Sequence, residues 1–225
     1  MKKFILLLTI GFIVLLSSYE AKGACEVCLL PKICVSLGTS CNGTSIQFMI
    51  CYECPEPQGI EPRGPINIDI LDMQYDPEEI SDDDAWDCAY NTILNNLHTL
   101  CGTQPCNGAA SMVNITKPVC ARYEYNHITK ILQISADWAA CGDKRCETQY
   151  WWCYCTCEPG TCENHPPCPI PHPYFGKTNQ TPNPLIIGIG YCDVIPIGPG
   201  TDYDYDPLTE PFDSWIIECK SDECY

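Results

Sequence analysis

Sulfur is the first chemistry this chain offers. Residues 151–162 read WWCYCTCEPGTC, which puts Cys153, Cys155, Cys157 and Cys162 within ten positions, three of them on alternate residues. Thiols this dense can hold a soft metal ion, exchange electrons, or end as cross-links. In an extended strand, side chains two residues apart share a face, so Cys153, Cys155 and Cys157 line one side and Trp152, Tyr154 and Thr156 the other. Three sulfurs on one face cannot bond each other without straining the strand. They must reach outward, to a neighbouring strand, a helix or the cysteine-rich N-terminus. The rival readings are a thiolate cluster of Cys157, Cys162, His165 and Cys168, at ligand-like spacings, and a redox pair at the C-x-x-C motifs that begin at Cys25 and Cys51.

The compartment decides among them. The chain opens MKKFILLLTIGFIVLLSS, a charged start followed by an apolar run too short to cross a bilayer comfortably, and Ala21 and Gly23 supply the small residues of a signal-peptidase site. The expectation is a signal peptide over 1–23, cut after Gly23, and a protein that is secreted or periplasmic. A lipoprotein anchored through Cys25 is the alternative, but Lys22 stands where an aliphatic residue belongs. All 20 cysteines follow the cut, an even number suited to an oxidising compartment, where thiols become disulfides before they meet scarce zinc.

Local pairs can be argued from spacing. C-x4-C recurs as CGTQPC, CGDKRC, CEPGTC and CKSDEC, each enclosing turn-forming residues. A short reversal brings its ends within bridging distance, which predicts Cys101–Cys106, Cys141–Cys146, Cys157–Cys162 and Cys219–Cys224. Cross-links worth about 2–4 kcal/mol each would brace a chain poor in large apolar side chains, with five phenylalanines against 20 prolines.

Other chemistry is sparse. Asp202, Asp204, Asp206 and Asp213 imitate the spacing of a calcium loop, but Pro207 sits where that loop needs glycine, so a solvated acidic loop is the plainer reading. No G-x-S-x-G, H-E-x-x-H or glycine-rich phosphate loop occurs, and nothing pairs His98, His127, His165 or His172 with a nucleophile. No catalytic residue and no cofactor is assigned. Of 12 basic and 29 acidic residues, the cut removes three lysines and one glutamate, which leaves 9 and 28, a formal net of −19. Such a surface repels nucleic acid and anionic lipid. Tyr150, Trp151, Trp152 and Tyr154 point to both faces of their strand, so either a second layer covers them or one face is open. Trp151 and Trp152 are therefore the candidate binding surface, for a protein or a glycan.

The elements that must position these groups follow from periodicity. SIQFMICYE alternates as a strand within a cysteine-rich segment, 24–54. Four prolines and two glycines over 55–65 make a linker or loop, and 66–225 form the main domain, with a Pro-rich insertion at 159–184. INIDILDMQYD reads as a strand. Ser81 followed by Asp84 starts one principal helix with a stripe of Trp86, Tyr90, Ile93, Leu97 and Leu100, a stop at Gly102, and Cys88 on the opposite side. Residues 118–157 read as a three-stranded antiparallel meander, and PLIIGIGYCDV and SWIIEC give later strands. The fold class expected is mainly β with one principal helix (α+β), disulfide-rich, with many Pro-rich loops. The function expected is that of an exported structural or binding module without catalysis, the alternatives being a secreted hydrolase and a calcium-dependent adhesion module.

Overall fold

The computed structural model describes residues 28, 31–55, 64–106, 110–136, 141–156, 170–179, 184–188, 195–196 and 215–221. Among these residues it is mainly β with one principal helix, and the sheet is mixed. The first two strands, β1 (Ile33–Cys41) and β2 (Thr44–Glu53), form a hairpin around Asn42 and Gly43. Both turn residues have positive φ, 53° and 98°, which is the two-residue turn that matches strand twist and that Asn-Gly favours. Ile46, Phe48, Ile50 and Tyr52 alternate on the buried face of β2, as their spacing predicts.

Strand β3 (Ile66–Tyr75) is the hub of the sheet. One of its edges pairs with β2. The other is divided between β4 (Ser111–Pro118), parallel to Ile66–Asp69, and β6 (Ile131–Ser135), antiparallel to Asp72–Tyr75. Between the halves lies a bulge. The β2 ladder steps from Met49↔Asp72 to Ile50↔Ile70, leaving Leu71 unmatched. One extra residue reverses the facing of everything beyond it, so the inward set changes from Ile66, Ile68 and Ile70 to Met73 and Tyr75. The freed Leu71 carbonyl accepts from Ala136 N–H at 2.8 Å.

Two arms leave this hub. Strand β6 pairs with β5 (Cys120–Asn126), which pairs with β11 (Trp215–Ser221) and then β10 (Ile195–Pro196). Strand β4 pairs with β7 (Arg145–Cys155), which carries both β8 (His172–Lys177) and β9 (Leu185–Ile187) on its far side. The expected meander is therefore corrected. Its first two runs, β5 and β6, do form a hairpin, but the third run, β7, joins β4 because β3 already occupies the other edge of β6. Among the described strands only β3 and β4 pair in parallel. Within the Pro-rich insertion, β8 tolerates Pro173 because, among the described residues, it pairs on one side only.

Helix α1 (Asp82–Cys101) closes the core against β1, β2 and β8. Its start is capped by Ser81, whose hydroxyl accepts from Asp84 N–H at 3.3 Å and donates to the Asp84 carboxylate at 2.7 Å. Asp82, Asp83 and Asp84 sit at the positive end of the helix dipole, and Gly102 ends it with φ 77°. Trp86, Tyr90, Ile93 and Leu97 are buried as the stripe predicts, and Leu100 packs at its margin. The loop before the helix is tied down by the Tyr75 hydroxyl to Asp82, Thr44 to Glu79 at 3.0 Å and Lys130 to Glu78 at 2.6 Å. Among the described residues no helix is long and apolar enough to cross a membrane.

Candidate functional site

The sulfurs come first, because they fix what else can be chemistry. Four bridges join Cys28 to Cys51, Cys41 to Cys88, Cys54 to Cys101, and Cys106 to Cys153. Cys34, Cys120, Cys141, Cys146 and Cys155 are also disulfide-bonded, and no described cysteine is free. The pattern is long-range: three of the four bridges span 47 residues and the fourth spans 23.

Cys41 lies at the turn end of the hairpin and Cys54 just past its open end, and they hold α1 through Cys88 in its second turn and Cys101 at its last residue. Cys88 is bonded, but both bridges run to the same hairpin and Cys88 is buried in the same core cluster as Trp86, so the bridges do not hold the helix from the two directions that its position in the sequence suggested. The predicted Cys101–Cys106 bridge is not formed: Cys101 faces the hairpin and Cys106 reaches across to β7. The redox reading is also corrected. Cys51 bonds Cys28 and Cys54 bonds Cys101, so neither C-x-x-C motif closes on itself. Cys141 and Cys146 are buried with Cys120 and Val119 in a small cluster of their own.

The opening stretch behaves as a strand should. Burial along β7 selects Cys146, Thr148, Tyr150 and Trp152 on the core face, whereas Cys153 and Cys155 are buried on the other face with Cys106 and Tyr174. Cys153 does reach outward, to the segment that follows α1, where Tyr154 N–H donates to the Gln104 carbonyl at 2.7 Å. Cys157, Cys162, His165, Cys168, Cys224 and the calcium candidates Asp202, Asp204, Asp206 and Asp213 lie outside the described residues, as does the segment 1–27. The side chain of Cys219 is likewise undescribed. Among the described residues no group of three or more His, Cys, Asp or Glu is placed to hold a metal ion.

The two tryptophans separate. Trp152 is not part of any surface: it is fully buried and its indole N–H donates to the Leu94 carbonyl of α1 at 2.8 Å. Trp151, one residue on, faces the other way. It stands between Met112 of β4 and Gly176 of β8 in the strand register, half-buried, while Met112 is 37% exposed. A Cβ on Gly176 would lie 2.9 Å from the indole, so only glycine lets the ring settle against this strand. The next row down the same face is Asn67, Asn114 and Gln149, with Asn114 Nδ2 donating to Asn67 Oδ1 at 3.0 Å. Of the histidines, His98 stacks on Tyr154 at 4.6 Å, His172 lies against Tyr174 at 4.5 Å, and His127 sits in the β5–β6 turn.

Below that row lies a group that belongs to no sequence motif. Asp69 is 7% exposed, and its carboxylate accepts from Lys32 at 2.6 Å, Thr116 at 2.6 Å and Arg145 at 2.7 Å. Burial alone would raise its pKa. The hydrogen bonds from Lys32 and Thr116, with the charges of Arg145 and Lys32, outweigh burial and hold it below the usual carboxylate value. Its partners come from before β1, from β4 and from β7, so the ion group fastens three separate parts of the sheet. A carboxylate set within the apolar run INIDI was the available signal; the partners, 37 to 76 residues away, were not.

With the geometry established, comparison with known proteins found no matching family model, no matching curated protein and no matching solved structure.

Proposed function

We propose that this chain is an exported, disulfide-braced binding or structural module that acts without catalysis and engages a protein or glycan partner through the outer face of β4, β7 and β8. The observation that carries the reading is Trp151, held against Gly176 between ordered strands with exposed Met112 beside it. An indole on a rigid strand offers apolar area at little entropic cost. The bridges are consistent with an oxidising extracellular environment and supply the rigidity such a face needs.

The test compares Trp151→Ala with the parent chain on arrays of polysaccharides and extracellular proteins. The reading expects a ligand for the parent whose affinity drops at least ~tenfold in the variant, the loss of a central aromatic anchor. A ligand bound equally by both, or catalytic turnover of an arrayed substrate, would refute it.

A further inference from the structure

Strand β1 ends the sheet, and among the described residues its one partner is β2. The two-residue turn makes Cys41 and Thr44 the hydrogen-bonded pair that closes the hairpin. By alternation Val35, Leu37 and Thr39 direct their backbone groups to β2, and Ser36, Gly38 and Ser40 direct theirs to the outer edge. Proteins commonly guard such an edge with charge, proline, a bulge or a short strand. Here the ladder runs unbroken for nine pairs, and ICVSLGTSC contains neither proline nor an ionisable acid or base. Of the outward-directed positions, Ser36, Gly38 and Ser40 bear small side chains and are exposed, while Cys34 at the start of the strand is half-buried and disulfide-bonded.

We infer that this edge pairs antiparallel with the β1 edge of a second copy of the chain, about a two-fold axis at Leu37. That register sets Ser36 opposite Gly38, Val35 opposite Thr39 and Leu37 opposite itself, so outward N–H and C=O groups meet and the two half-buried Leu37 side chains touch on the core side. Charge selects the occupant. A chain with formal net charge −17 repels its own copies wherever carboxylates meet, and β1 is a strip where none do. A partner chosen by charge would be basic and would settle on the acidic surface instead. The uncharged edge selects by register and length, which its own copy matches.

The experiment is sedimentation equilibrium of the full oxidised chain over a range of concentration and salt, with Ser36→Pro and Gly38→Lys as variants. Proline at 36 removes an outward donor without touching the β1–β2 ladder. A Cβ at 38 meets only the Ile46 carbonyl oxygen at 3.8 Å, so lysine fits in the monomer but carries charge onto the edge. The inference expects a reversible dimer that tightens as salt screens the acidic surfaces, and a dissociation constant raised at least ~tenfold in each variant that retains the parent's circular dichroism. Should Ser36→Pro fail to fold, Gly38→Lys carries the test. A chain that stays monomeric at millimolar concentration, or a dimer unaffected by a folded variant, overturns it.

Discussion

Replacing Asp69 by asparagine keeps the shape of the side chain and removes its charge. With the amide oxygen toward Thr116 and Arg145, both bonds survive but lose the carboxylate's charge. The amide nitrogen then faces Lys32, a donor against a donor, and Lys32, 30% exposed, turns to water. One charge-assisted bond lost and two weakened come to about 2 kcal/mol at neutral pH, below the cost of stranding a fully buried charge because both cations touch solvent. The pH dependence has a definite sign. A carboxylate whose folded pKa is depressed contributes stability above its unfolded pKa, about 4, and loses that contribution as pH falls through the lower folded value. Denaturant unfolding without reductant, at neutral pH and at successive acid steps, should show the parent more stable than Asp69→Asn, with the gap closing only below about pH 4. A neutral-pH gap under about 0.5 kcal/mol, or one that widens in acid, would refute the argument that these contacts fasten the sheet.

Two further outcomes follow from buried contacts. Trp152→Phe removes the indole N–H from the Leu94 carbonyl and leaves a void between β7 and α1, so stability should fall by about 2–3 kcal/mol in the same assay. Paired Cys41→Ala and Cys88→Ala open a bridge spanning 47 residues, which the chain-entropy argument values at about 4 kcal/mol; calorimetry without reductant should show a lower transition temperature than the parent.

Helix α1 was legible because its information is local: a capping serine, acids in the first turn, a three-and-four apolar stripe and a terminal glycine lie within about twenty residues. Strand β2 and the β5–β6 hairpin were legible for the same reason. Strand β4 carries little sequence signal although Val113 and Ile115 alternate, because SMVNITKP is short and sets the polar Ser111 and Lys117 on the same buried face as those two. What could not be read was pairing. Strand β7 alternates equally well whether it follows β6 or β4, and the choice is made by β3 occupying the edge of β6. The same holds for sulfur. CGTQPC has the spacing of a local bridge, yet α1 carries Cys101 to the hairpin and leaves Cys106 for Cys153. Of the candidate surface, adjacent Trp151 and Trp152 looked equivalent, and strand parity against the helix buried one and left the other half-covered.

Peptide mapping of the full chain, recovered from an oxidising compartment with thiols blocked before digestion and no reductant, tests the bracing most directly. The account predicts linked fragments joining Cys28 to Cys51, Cys41 to Cys88, Cys54 to Cys101 and Cys106 to Cys153, with none of these eight sulfurs blocked. A fragment closing Cys101 on Cys106, or blocked thiols at these positions in the folded protein, would contradict it.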